Sequence, residues 1–198
     1  AQVAIERDVW VLTDEPYSKM VYDGEFASIL SVPGMKERTI LVEGFSKTYA
    51  MTGWRLGYGV MPAPLADQIA KLQTNSNSCT ASFVQIAGIA ALDGPQEESE
   101  AMMAAFKERR DVMVAALNTL PGVTCLSPGG AFYVFPNITG TGMDSRDLAT
   151  ACLEEAGVAV LSGTAFGAYG DGYLRLSSAN SIENIEEGIE RIRGLLEG

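Results

Sequence analysis

Short runs of consecutive apolar residues alternate along this chain with longer stretches in which apolar positions recur every three or four residues. That alternation predicts an α/β protein. Val9-Trp10-Val11-Leu12 is a compact run ending at Asp14 and predicts a buried strand. Thr39-Ile40-Leu41-Val42 predicts a second strand that runs out near Ser46 and Lys47. Residues Arg55 to Val60 predict a third, stopped by Pro62, and a connection containing Gly and Pro joins the first strand to the second. Pro64 opens a helix with Leu65, Ile69 and Leu72 at helical spacing. The stretch from Ala81 to Leu92 is apolar almost all round, which predicts a buried helix.

Asp93-Gly94-Pro95 interrupts this pattern. Beyond it, Met102, Phe106, Met113, Leu117 and Leu120 fall on one helical face, predicting a long amphipathic helix from Glu97 to Leu120 that Pro121-Gly122 closes. Strands are expected at Ala131 to Phe135, Val158 to Leu161 and Tyr173 to Leu176. A helix from Asp144 or Ser145 to Ala156 lies between the first two, with Gly157 as its stop. The last helix starts at Ser181, sets Glu183, Glu186 and Glu187 toward its positive end, and buries Ile182, Ile185, Ile189 and Ile192. Two domains are therefore expected: 1–93, part of a mainly parallel α/β sheet, and 94–198, a smaller α/β domain entered through the long helix. The chain has no initiator Met, and Ala1 to Glu6 reads like a helix already in progress, so a piece of a longer protein is expected.

Composition narrows the function. The 14 Lys and Arg against 25 Asp and Glu give a formal charge of −11, which repels phosphate backbones and anionic lipid, so neither a nucleic-acid nor a membrane partner is expected. The apolar stretch from Ala81 to Leu92 is too short to cross a bilayer, and the first residues lack a signal-peptide pattern, which points to the cytoplasm. The three cysteines, Cys79, Cys125 and Cys152, are odd in number with no C-x-x-C pair; they read as buried small hydrophobes in a reducing compartment. There is no His, which excludes Ser-His-Asp and Cys-His mechanisms within this chain and every zinc site that needs imidazole. The acidic run Glu97-Glu98-Ser99-Glu100 is a solvated helix start, and no metal site is expected.

Ligands of open α/β sheets gather at the carboxyl ends of strands, and Asp14, Lys47 and Arg55 all lie at or beside predicted strand ends. Read singly, most of the polar candidates have a plain structural account. Lys47 can pack its stem on the sheet with its head in water. Asp14 and Ser46 can cap turns, Tyr17 can be an ordinary half-buried tyrosine, and Arg175 can sit in a surface ion pair. Gly57-x-Gly59 and Gly167-x-x-Gly170-x-Gly172 do not form a dinucleotide fingerprint, and no Gly-x-x-x-x-Gly-Lys loop exists.

Together the motifs say more. The segment Gly44-Phe45-Ser46-Lys47-Thr48-Tyr49-Ala50-Met51-Thr52-Gly53-Trp54-Arg55-Leu56-Gly57-Tyr58 resembles the cofactor-lysine signature of class I aminotransferases, the pyridoxal-phosphate enzymes of fold type I. Asp14-Glu15-Pro16-Tyr17 with Val21-Tyr22-Asp23-Gly24 is similar to the preceding motif of that family, in the branch with bacterial aspartate and aromatic aminotransferases. Gly130-Ala131-Phe132-Tyr133 and Tyr173-Leu174-Arg175-Leu176-Ser177 are similar to its small-domain motifs. The resemblance covers only the C-terminal half of the family's usual length.

The resemblance implies the C-terminal part of the fold-type-I large domain followed by the small domain, with pyridoxal 5′-phosphate as cofactor. It implies that Lys47 is the catalytic Schiff-base lysine and that Asp14 is a buried carboxylate pairing with the pyridine nitrogen. Tyr17 would donate to the 3′ oxygen, and Arg55 with Ser46 would bind the phosphate, although the position three before the lysine, a hydroxyl in some branches, is Gly44 here. Arg175 would bind the substrate α-carboxylate. The reaction implied is transfer of an amino group between an L-amino acid, acidic or aromatic, and a 2-oxo acid, within a homodimer. The family's phosphate loop and ring-stacking aromatic belong to its N-terminal half, so the 198-residue chain is expected to hold an incomplete pocket. Two alternatives remain at this stage: a pyridoxal-phosphate lyase cleaving a Cβ–S bond, and a non-catalytic sensing domain of a regulator.

Overall fold

Two units, Ala1–Glu100 and Ala101–Gly198, make up the computed structural model, which describes residues 1–198. The first contains α1 (Gln2–Glu6), β1 (Val11–Asp14), β2 (Thr39–Gly44), α2 (Phe45–Thr48), β3 (Gly57–Val60), α3 (Ala63–Ser76) and α4 (Ser82–Asp93). Its strands form one three-stranded sheet in the order β1-β2-β3. β1 and β2 are parallel, with Asp14 opposite Val42, whereas β2 and β3 are antiparallel, with Gly44 opposite Gly57. The sequence reading of a mainly parallel sheet thus holds for one of the two ladders. The segment between β2 and β3 carries only α2 and one further turn, Thr52–Trp54, too little for the crossover a parallel pair needs.

Several sequence expectations change here. β1 is an edge strand, not a buried one: Trp10 precedes it and stays 55% exposed, and Leu12 is 67% exposed, because β1 has a neighbour on one side only. α4 is not buried all round. It buries Val84 and Gly88, while Phe83 (72% exposed), Ile86 and Ile89 face outward. Gly88 is where that helix meets the sheet: a Cβ there would stand 2.5 Å from Leu56 Cδ2 and 3.4 Å from the Phe45 ring, so a side chain at 88 would push α4 away. Cys79 is exposed, in contrast to the buried Cys125 and Cys152.

α5 (Glu97–Leu117) leads into the second unit, which holds β4 (Tyr133–Val134), α6 (Ser145–Glu154), β5 (Leu161–Ser162), β6 (Leu174–Ser177) and α7 (Ile182–Glu197). Its sheet runs β4-β6-β5, antiparallel throughout. α5 stops at Leu117, short of Leu120, because the Asn118 amide turns to the Val114 and Cys125 carbonyls and accepts from Cys125 N–H. β4 is shorter than expected, since Ala131 is left-handed (φ 58°) and Pro136 offers no N–H. The expected strand at 158–161 reduces to Leu161–Ser162, whose Ser162 hydroxyl already caps the next turn.

α6 and α7 keep their sequence signatures. Asp144 accepts from the N–H groups of Arg146 and Asp147, and Ser181 accepts from Asn184 N–H, each satisfying free donors at a helix start. Gly157 takes the left-handed conformation (φ 67°) after α6. Ile185, Ile189 and Ile192 then bury one stripe of α7 against Met113, Leu148 and Leu176, each worth about 1.5–3 kcal/mol of apolar burial.

Candidate functional site

Strand register brings three of the candidates to one edge of the first sheet. Asp14 ends β1 opposite Val42, so it lies at the carboxyl end of the parallel pair. Lys47 sits on α2, which starts as soon as β2 ends at Gly44. β3 runs the other way, so its beginning returns to that same edge, and Arg55 lies two residues before it, where Phe45 N–H donates to the Leu56 carbonyl at 3.2 Å. The antiparallel ladder, unexpected from the sequence, is what brings Arg55 there.

Lys47 is half-buried, and its Nζ stands 5.9 Å from the centre of the Tyr17 ring. Tyr17 lies in a turn pinned to β2 twice: Glu15 N–H donates to the Val42 carbonyl at 3.0 Å, and the Ser18 hydroxyl donates to Glu43 Oε2 at 3.0 Å. Glu43 also accepts from Gly44 N–H. Burial pushes the Glu43 carboxyl above its ordinary pKa, and the nearby Glu15 and Asp14 charges push the same way, against the bonds from Gly44 and Ser18. Sequence reasoning missed Glu43. The available signal was a lone acid in the apolar run 39–42 continued into Gly44.

Arg55 is exposed and left-handed (φ 52°), and does not belong to β3 as the sequence suggested. Its guanidinium donates to the Thr52 carbonyl at 2.9 Å, closing its own turn. Ala50 is left-handed as well (φ 52°), so two non-glycine residues between Lys47 and β3 hold a conformation costing about 1 kcal/mol each. Ser46 is half-buried on α2 beside Lys47. Asp14 is exposed in this chain, which corrects the expectation of a buried carboxylate; edge strand β1 has no neighbour to cover it. A primary amine, a carboxylate, a phenol and a guanidinium therefore share one sheet edge. As a donor set they match an aldehyde, a protonated ring nitrogen, a ring oxygen and a phosphate, the functional groups of pyridoxal phosphate.

In the second unit Arg175 lies on β6, the middle strand, half-buried and opposite Leu161 of β5. Its guanidinium carbon is 4.5 Å from the centre of the Tyr133 ring and 4.4 Å from that of Phe166. A free surface ion pair, the plain account of this arginine, would not surround the group with aromatic rings. Phe166 is a second residue that the sequence reading passed over.

Comparison with known proteins bears on this arrangement. Residues 1–192 match the family model described as aminotransferase class I and II. The chain belongs to the class I and II aminotransferases. Members of this family work with pyridoxal phosphate. An aspartate aminotransferase of Pyrococcus horikoshii is 45% identical over 204 residues, covering 100% of this chain and 51% of that protein. An aromatic-amino-acid aminotransferase of Thermococcus litoralis is 40% identical, covering 99% of this chain and 51% of its own length. The crystal structure of an aromatic aminotransferase from P. horikoshii superposes with a TM-score of 0.94 at 40% identity, over 99% of this chain and 53% of that one. The fold class is that of these aminotransferases, fold type I. The chain spans about half the length of the curated relatives it matches.

Proposed function

We propose that this chain is the C-terminal part of a pyridoxal-phosphate-dependent aminotransferase that exchanges an amino group between an L-amino acid and a 2-oxo acid. An acidic or aromatic substrate is favoured by the names of the relatives. The observation that carries the reading is the gathering of Asp14, Lys47 and Arg55 at one sheet edge, with Tyr17 beside Lys47. On this reading the unit Ala1–Glu100 is the C-terminal part of the large cofactor domain and Ala101–Gly198 is the small domain. The protein works as a homodimer in the cytoplasm; no helix here is long and apolar enough to cross a membrane.

When bound, the cofactor supplies an aldehyde that captures amino groups and a pyridinium ring that accepts the electron pair left at the substrate Cα. Lys47 is the amine that would hold that aldehyde, and its Nζ, when free, would take the proton from the substrate Cα as a general base. Asp14 would pair with the ring nitrogen and keep it protonated. Tyr17 would donate a hydrogen bond to the ring oxygen, and the Glu43–Ser18 bond holds the turn that carries it. Arg55 would bind the phosphate with its forked donors, and Ser46 would add a hydroxyl. Arg175 binds the substrate α-carboxylate, fixing which Cα bond lies perpendicular to the ring.

The test is covalent trapping. The full-length gene product, purified with pyridoxal phosphate, should be yellow, and borohydride should leave a pyridoxyl tag on Lys47 that peptide mass spectrometry locates. L-aspartate or L-phenylalanine with 2-oxoglutarate should then yield L-glutamate. A protein that stays colourless with excess cofactor and carries no tag at position 47 refutes the proposal.

A further inference from the structure

We propose that Tyr133 and Phe166 are positioning residues that clamp the Arg175 guanidinium from its two sides, leaving its N–H edge to engage a substrate α-carboxylate. The inference rests on the reading of Arg175 as the carboxylate-binding group, and deepens it.

The two rings reach Arg175 from opposite neighbours of the same strand. Arg175 stands on β6, the middle of β4-β6-β5. Tyr133 comes from β4, where it faces Ser177, two residues along β6 and therefore on the Arg175 face of the sheet. Phe166 ends the turn Gly163–Phe166 that follows β5 on the other side. Each ring centre lies about 4.5 Å or less from the guanidinium carbon, well inside the ~6 Å range of cation–π attraction. A planar cation flanked in this way has its rotation about the last side-chain bonds restricted, while its donors, which point outward in the plane, stay available.

The Phe166 ring is itself held. The Phe166 turn is fixed by Gly163 N–H donating to the Tyr173 carbonyl at 2.8 Å and by the Ser162 hydroxyl accepting from Thr164 N–H. Phe135, two residues after Tyr133, stacks on Tyr173 at 5.2 Å and meets the Phe166 ring edge-on at 6.2 Å. An arginine that must find one carboxylate geometry loses less freedom on binding when its rotamer is already fixed. Loss of one ring should therefore weaken binding of every substrate through its common carboxylate, whatever its side chain.

The test uses the full-length holoenzyme with L-aspartate and, separately, L-phenylalanine as donors and 2-oxoglutarate as acceptor. Phe166→Leu and Tyr133→Leu should each raise KM about 3- to 30-fold for both donors, with kcat changed less than about 3-fold, as expected for one cation–π contact that acts on binding. Phe166→Tyr, which restores a ring face, should return KM to near the parent value. In an Arg175→Ala background, which alone should raise KM for both donors, Phe166→Leu should add nothing further. If Arg175→Ala raises KM but Phe166→Leu does not, the clamp is wrong and the role of Arg175 stands. If Arg175→Ala leaves KM unchanged, the reading of Arg175 fails and the clamp with it. A change confined to one donor, or a fall in kcat and thermal stability with KM unmoved, shows side-chain recognition or a merely structural role, and overturns the proposal.

Discussion

The Lys47 Nζ stands over the Tyr17 ring, 5.9 Å from its centre, although thirty residues separate the two in sequence. Parallel pairing of β1 with β2 makes this possible, because both residues follow strands that end at the same edge. On the proposed function, Tyr17 donates to an oxygen that carries negative charge when the cofactor site is deprotonated. Tyr17→Phe keeps the ring and removes the donor. A hydrogen bond to a charged group is worth about 1.5–3 kcal/mol, so the pH at which the cofactor colour titrates should rise by about 1–2 units. Absorbance recorded against pH, parent beside variant, checks this; a downward shift contradicts it.

Glu43 predicts a pH effect on stability. Its folded pKa lies above the ordinary value of 4.5, because burial disfavours the carboxylate. The folded state therefore binds the proton more tightly than the unfolded state. The stability this lends is fully present below pH 4.5 and is lost as pH rises through the folded pKa. Glu43→Gln removes the charge while its amide can still accept from Gly44 and bond to Ser18. The variant should melt at a higher temperature than the parent at pH 7, and the difference should shrink as pH falls through the folded pKa toward 4.5. Thermal melts at pH 4 and pH 7 decide; a gap that grows on acidification refutes the argument.

Thiol chemistry should separate the cysteines. Burial pushes the Cys152 thiol up to about 11 and raises that of Cys125, so neither offers much thiolate near neutral pH. Cys79 is exposed. Iodoacetamide at pH 8 followed by peptide mapping should label Cys79 under native conditions and reach Cys125 and Cys152 only after denaturant is added.

The start of α7 offers a test of capping. Ser181→Ala deletes the hydroxyl that accepts from Asn184 N–H at 3.2 Å, and should cost about 1 kcal/mol in chemical denaturation. Ser181→Asp should keep most of the parent stability, since a carboxylate can accept the same bond and favours the positive end of the helix.

The parts of this fold that could be read from sequence are those whose determinants are local. Ser181 and the isoleucines of α7 declare a helix through a cap and a stripe, and Asp144 with Gly157 brackets α6 in the same way. Lys47 and Arg55 could be singled out because each is a cation beside an apolar run. What escaped depends on partners distant in sequence. The apolar run of α4 looked like a buried helix, yet hydrophobicity does not say which element covers it, and only the Val84 and Gly88 face is covered here. The left-handed Arg55 and the reversal of β3 are set by how β2 meets the chain after α2. The rings around Arg175 come from strand β4 and from the turn after β5, so no spacing in the sequence announces them.

The bare side of α4 has a practical consequence at the bench. With Phe83, Ile86 and Ile89 turned to water, the 198-residue polypeptide handled by itself should behave as a greasy particle. It should brighten anilinonaphthalene sulfonate, adhere to phenyl resin, and scatter light as its concentration climbs.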